Sequence, residues 1–293
     1  MTECIIEAKS VHKRFGKHKV LTGVDLCVPR GAVVGLLGTN GSGKSTLIKC
    51  LLGLLKPDAG DILTLGEDPW DFTAVAKERL GYGPQEAKLY PWMKSGQIVD
   101  YTAAFYPKWD GAWATELMDR WDVETDKRAG TLSVGQLQKL SLVLALGHRP
   151  ELLVLDEPVA SLDPKARREF LRSLVEITDD EQHTVLFSTH ITSDLERIAT
   201  HVAFLRDGVI SFFGGLDELK EQVKRLRITA EIDLPATFNV PGAMRIEVNG
   251  RTALVAIPQV SDPLVESLRH DWQANVTVED LNLEEIFLEF HDA

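Results

Sequence analysis

Residues 33–55 read VVGLL GTNGSGKS TLIKCLLGLL: an apolar run, a glycine-rich octet from Gly38 to Ser45, and a second apolar run spaced like a helix face. The octet satisfies the spacing G-x-x-x-x-G-K-[ST] and stands between a strand and a helix, the setting that gives this spacing its meaning. Gly41 and Gly43 let the backbone curl with no side chain in the way, so successive amides aim at one anion. The helix opening near Lys44 adds the positive end of its dipole. Lys44 supplies a point charge suited to β- and γ-phosphates, and the Ser45 hydroxyl is a hard oxygen of the kind Mg2+ takes. Gly38, Thr39, Asn40, Gly41, Ser42, Gly43, Lys44, Ser45 and Thr46 are therefore the expected contacts of a nucleoside triphosphate.

Two further apolar runs end as the first does. LLVLDEP (152–158) closes on adjacent carboxylates, and TVLFSTH (184–190) on Ser-Thr-His. Short buried strands with polar loops at their carboxyl ends mark an α/β sheet whose site lies along that edge. Asp156 is placed to hold a Mg2+ shell beside the phosphate loop. Glu157, pointing the other way by strand alternation, is placed to take a proton from an attacking water. Helical spacing dominates from Ser95 to Leu146, with Ile98, Val99, Thr102 and Phe105, then Trp113, Leu117 and Trp121. This reads as a helical subdomain, about 87–146, inserted between core strands. Asp207-Gly208 reads as a hairpin turn.

From Arg227 the character changes to short strands, RITAEID, MRIEV and TALVAI, the last two joined by a hairpin signal at Asn249-Gly250. Asp262 then caps a short helix with Pro263 at its first position, and NLEEIFLEF is a final amphipathic helix. The expected organisation is an α/β domain over 1–226 and a small α+β appendage over 227–293.

The formal net charge is −12, and the last 67 residues, with twelve acidic and four basic side chains, carry most of it. An acidic surface repels phosphate backbones, so nucleic acid is not an expected partner. Cys4, Cys27 and Cys50 are isolated, with no C-x-x-C spacing, so neither a disulfide nor a zinc site is expected and a reducing compartment is. The apolar runs fall short of a membrane span, and MTECIIEAKSVHKRF lacks the apolar core of a leader. The expectation is a cytoplasmic chain whose membrane role needs a partner.

One helix start remains to be explained. In TLSVGQLQKLSLVLAL (131–146), Ser133 is placed to cap a helix whose first amides stay free, and Leu137, Leu140, Leu144 and Ala145 share one face. With Tyr82-Gly83-Pro84-Gln85 and Ser188-Thr189-His190, the motifs fall in a fixed order: phosphate loop, Gln85, Ser133–Gln136, Asp156-Glu157, Ser161-Leu162-Asp163, His190. Over roughly residues 1–225 that order resembles the ATP-binding subunits of ABC transporters. The fold implied is the ABC type of P-loop NTPase with an inserted helical subdomain.

The resemblance implies roles. Gln85 touches Mg2+ or the attacking water and reports nucleotide state to the helical subdomain. His190 bonds the γ-phosphate and positions Glu157, Phe15 stacks on adenine, and Asp163 lies at a dimer interface. Ser133, Gly135 and Gln136 complete the ATP site of a second copy or homologous subunit, so two chains close head to tail around two ATP molecules. The usual pair of glycines in this motif is here Val134-Gly135, and valine resists positive φ. An integral membrane permease is the implied partner, docking near Gln85, with Tyr90, Trp92, Tyr106 and Trp109 as contact residues. Peripheral attachment to the inner face of the membrane follows. The single nucleotide domain with a small tail is similar to subunits of export systems. The competing readings are a soluble ATPase acting on ribosomes or DNA, and a non-catalytic nucleotide sensor. Glu157 and His190 argue against the sensor.

Overall fold

The computed structural model describes residues 3–178, 183–235 and 237–292; the first two residues of the stretch read for a leader lie outside these. The chain forms two compact units, Met1–Phe213 and Gly214–Ala293.

The first unit opens with β1 (Cys4–Phe15), β2 (His18–Pro29), β3 (Val33–Leu37), α1 (Lys44–Leu51) and β4 (Ala59–Thr64). The helical region follows as α2 (Ala74–Glu78), β5 (Leu80–Gly83), α3 (Ser95–Ala103), α4 (Gly111–Arg120) and α5 (Val134–Leu146). The chain then returns through β6 (Leu152–Asp156), α6 (Pro164–Thr178), β7 (Thr184–Thr189), α7 (Thr192–Ile198), β8 (His201–Arg206) and β9 (Val209–Gly215). Asp207 and Gly208, both at positive φ, make the turn between β8 and β9 as expected.

β3, β6 and β7 are buried along their whole length, which is why they read as unbroken apolar runs. They sit in a six-stranded sheet of order β5-β6-β7-β3-β8-β9, parallel from β5 to β8. β1, β2 and β4 form a separate antiparallel sheet of order β2-β1-β4. Ile5, Val11 and Leu26 from that sheet, Leu47, Ile48 and Leu51 from α1, and Leu36, Leu152 and Leu186 from the parallel sheet share one core. Each such side chain contributes ~1.5–3 kcal/mol by burial. The core thus clamps α1, and with it the phosphate loop, between two sheets.

Three expectations fail here. Cys4 and Cys27 form a disulfide, with Cα atoms 5.5 Å apart, because antiparallel pairing of β1 with β2 brings distant positions together. Cys50 is a buried free thiol whose pKa burial pushes up to about 11. The face expected on α5 is not one-sided either: Gln138, Leu140, Ser141, Leu142, Val143, Ala145 and Leu146 are buried, while Leu137 and Leu144 are only half-buried. α3, α4 and β5 all pack on this helix and cover it from several sides. Phe105 falls beyond the end of α3 and is exposed.

The second unit contains α8 (Leu216–Gln222), β10 (Lys224–Ala230), β11 (Arg245–Asn249), β12 (Thr252–Ile257), α9 (Asp262–Trp272), β13 (Ala274–Asp280) and α10 (Leu283–Asp292). It begins ahead of the composition change at Arg227, since β10 pairs along its length with both β12 and β13. The sheet is antiparallel in the order β11-β12-β10-β13. Its core joins Leu226, Ile228, Val255 and Val276 to Val265 and Leu268 of α9. The β11–β12 hairpin turns at Gly250-Arg251, because Asn249 still pairs with Thr252. Ser261, rather than Asp262, is the N-cap of α9.

Candidate functional site

The loops after β3, β6 and β7 meet along one edge of the parallel sheet. Gly41 (φ 84°) and Gly43 (φ 106°) take left-handed conformations in the phosphate loop, and Gly43 is the N-cap from which α1 starts. No side chain caps that end, which leaves the first amides of α1 without a cap partner. Lys44 is only 6% exposed; its Nζ donates to the carbonyls of Gly38 (2.8 Å) and Thr39 (3.3 Å) and lies 3.5 Å from Glu157 Oε1. Ser42 Oγ is buried and has no hydrogen-bond partner among the described residues, so its donor is left open beside the loop.

Asp156 and Glu157 both converge on this loop, so the alternation expected to point them apart does not hold. Glu157 lies past the last residue of β6 with φ 48°, and this left-handed turn swings its side chain back toward Lys44. A non-glycine residue held there costs ~1–2 kcal/mol. The Ser188 hydroxyl helps hold it, accepting from the Glu157 amide (2.9 Å) while donating to Asp156 Oδ1 (2.8 Å). Ser45 Oγ donates to the same carboxylate oxygen at 3.1 Å. Sequence reasoning gave Ser188 no role of its own; its only signal was a position two residues before His190 at a strand end.

His190 Nδ1 lies 2.6 Å from Glu157 Oε2, and its ring is exposed on the outer side of the carboxylate. Three elements, α1, β6 and β7, with the residues just past β6 and β7, therefore bring Lys44, Ser45, Asp156, Glu157, Ser188 and His190 into one network around the phosphate loop. Tyr82, whose phenol is pushed up to about 12 by burial and by the Asp156 carboxylate, lies beside it.

The other expected residues stand outside that network. Phe15 is 51% exposed with Lys13 Nζ 5.7 Å from its ring centroid, so it is not a core residue. Gln85 is exposed. Ser133 caps α5 reciprocally with Gln136: its Oγ accepts from the Gln136 amide (3.2 Å), and its own amide donates to Gln136 Oε1 (3.1 Å). Val134 begins the helix in an ordinary backbone conformation and is 70% exposed. A Cβ on Gly135 would stand 3.0 Å from the Ser161 carbonyl, so glycine suits this approach. Asp163 caps α6 by accepting from the amides of Ala166 and Lys165, and the Ala166 bond foremost holds its carboxyl below the usual range. Among the described residues no hydrogen bond or ion pair joins Ser133, Gly135, Gln136 or Asp163 to the phosphate loop of the same chain.

A glycine-rich cradle at a helix start, a buried lysine, and a strand-end carboxylate pair beside a histidine define a P-loop nucleoside triphosphatase. Comparison with known proteins narrows this. Residues 21–160 match the ABC transporter family. The chain is 31% identical over 285 residues to the ABC transporter ATP-binding protein YtrB of Bacillus subtilis (strain 168), covering 97% of each chain. Among solved structures, it superposes on an ATP-binding subunit of an ABC transporter with TM-score 0.67 and 28% identity, over 74% of this chain and 92% of the other. It also superposes on cbiO1 from Clostridium perfringens, part of the transporter complex cbiONQ, with TM-score 0.60 and 27% identity, over 73% and 89%. The chain belongs to the ATP-binding subunits of ABC transporters and is an ATPase of transport, not of ribosome or DNA action.

Proposed function

We propose that this subunit closes head to tail with a second copy or a homologous subunit around two ATP molecules, and that closure and reopening drive a separately encoded membrane permease. The observation that carries this reading is the placement of Ser133, Val134 and Gly135. They form a helix start, exposed at Ser133 and Val134, with no bond to the phosphate loop of their own chain, so the free amides of Val134 and Gly135 and the Ser133 hydroxyl are available to a phosphate of another subunit.

Within each site the buried Lys44 ammonium meets the β- and γ-phosphates, and the phosphate draws it away from Glu157. Glu157 then takes a proton from the attacking water as that oxygen bonds to the γ-phosphorus and the bridge to ADP breaks. His190 holds the Glu157 carboxylate through Nδ1 and presents its other ring nitrogen to the γ-phosphate. Phe15 stacks on adenine, Gln85 reports on the phosphate end, and Asp163 stands at the subunit interface.

The donors fit Mg2+. Ser45 and Asp156 offer hard oxygens 3.1 Å apart, and no cluster of three or more His, Cys, Asp or Glu side chains forms a cage among the described residues, as suits an ion that keeps waters and phosphate oxygens. Bound there, Mg2+ would neutralise charge on the β- and γ-phosphates.

Among the described residues no helix is long and apolar enough to cross a membrane; attachment to the inner face is proposed to come through the permease. Tyr90, Trp92, Tyr101 and Phe105 are all exposed and lie in a chain of ring contacts with centroids 5.4, 5.9 and 5.2 Å apart. This patch is the proposed permease contact. Of the residues first assigned to it, Tyr106 stacks instead on the buried His148 (4.0 Å) and Trp109 packs over Gly147. Affinity capture from detergent-solubilised membranes is expected to recover a polytopic membrane protein, and Trp92→Ala with Phe105→Ala to lose it. Recovery of ribosomes or DNA instead would contradict the reading.

A further inference from the structure

α5, which carries the exposed Ser133–Gly135 tip, is fastened to β5 and the Pro84-Gln85 segment at two points. Near its start, Gln138, only 2% exposed, donates from Nε2 to the Pro84 carbonyl at 3.1 Å. Just past its end, the buried His148 donates from Nε2 to the Leu80 carbonyl at 3.0 Å. The two fastenings are matched in length. From Gln138 to the end of α5 and on to His148 the chain rises about 15 Å at helical spacing, and from Leu80 to Pro84, one residue past β5, it advances about 13 Å at strand spacing.

Between the fastenings the surfaces touch closely. A Cβ on Gly81 would lie 2.4 Å from the Ala145 carbonyl, and one on Gly83 would lie 3.3 Å from Leu142 Cδ2. Sliding α5 along β5, or tilting it, therefore breaks one of the two bonds and leaves a buried polar group unpaired.

We propose that Gln138 is a positioning residue that makes the Ser133–Gly135 tip move as one body with Gln85 of its own chain. A change at Gln85, on the phosphate side of one site, is then transmitted along α5 to the tip that completes the other site, so the two sites of the dimer fill cooperatively. Gln138 touches neither nucleotide; it acts through the Pro84 carbonyl. The proposal rests on the head-to-tail reading above.

The test uses Glu157→Gln as parent, so that bound ATP persists. Gln138→Met keeps the shape and length of the side chain and removes the donor. His148→Phe cuts the second fastening and gives an independent variant should the first fold poorly. Two quantities are read: ATP affinity of the dilute monomer, by a fluorescent ATP analogue, and the ATP dependence of dimer formation, by light scattering.

The expected result is monomer affinity within about twofold of the parent. The ATP needed for half-maximal dimerisation rises about tenfold, on the scale of coupling changes of this kind, and the Hill coefficient falls from about two toward one. Unchanged ATP dependence and Hill coefficient in both variants would overturn the proposal. So would a loss of monomer affinity parallel to the loss of dimerisation, which marks a merely structural role. A parent that never dimerises with ATP removes the head-to-tail reading itself, and the proposal with it.

Discussion

Glu157→Gln is expected to leave ATP binding intact and to cut turnover about 10²-fold or more, the scale on which a general base acts. Glutamine keeps the size of the side chain and its capacity to bond His190, whose Nδ1 lies 2.6 Å from the carboxylate. It cannot receive the proton that water must lose. Binding survives because the phosphate loop, Lys44 and the start of α1 are unaltered, and because one negative charge beside the phosphates has gone. Phosphate release at saturating ATP, set beside equilibrium binding of the same variant, separates the two effects. Near-normal hydrolysis would refute the assignment of Glu157.

Lys44→Ala is expected to abolish ATP binding at micromolar nucleotide. The ammonium is buried in the cradle, 2.8 Å from the Gly38 carbonyl and 3.5 Å from Glu157. Without it, the triphosphate meets loop carbonyls and the Asp156 and Glu157 carboxylates with no cation from the loop between them. Charge-assisted bonds of this kind contribute about 1.5–3 kcal/mol each, and a loss of two weakens binding by about 10²-fold or more. Titration calorimetry on a variant whose thermal midpoint matches the parent checks this. Unchanged affinity would count heavily against the phosphate-loop reading.

The parts of the site legible in the sequence are those made by neighbours along the chain. The Gly38–Ser45 loop, the Asp156-Glu157 pair and the Asp207-Gly208 turn each depend on a few consecutive residues and the backbone they force. What escaped depends on register or on contacts between elements. The Cys4–Cys27 bond needs the ladder between β1 and β2, which no cysteine spacing announces. The left-handed turn at Glu157 has no glycine to betray it, and it is held by Ser188 from a neighbouring strand. The several-sided burial of α5 comes from α3, α4 and β5, whereas helical periodicity suggests a single face. β13 has no apolar run to announce it, since four of the seven residues of ANVTVED are polar, and its strand state comes from pairing with β10. Gln138 sits in a polar helix start in the sequence; only the approach of β5 turns it into a buried link.

The central claim is that the exposed start of α5 serves the phosphate loop of another subunit, and cysteine cross-linking tests it most directly. Asn40→Cys and Val134→Cys, combined in a Glu157→Gln chain, place one exposed thiol in the loop and one at the helix tip. The native cysteines interfere little, since Cys4 and Cys27 are already paired and Cys50 is buried. The account predicts that mild oxidation with ATP gives a covalent dimer bridged at both ends, and that neither ADP nor either single-cysteine variant does so. Cross-linking that ignores nucleotide, or that closes only within one chain, would contradict it.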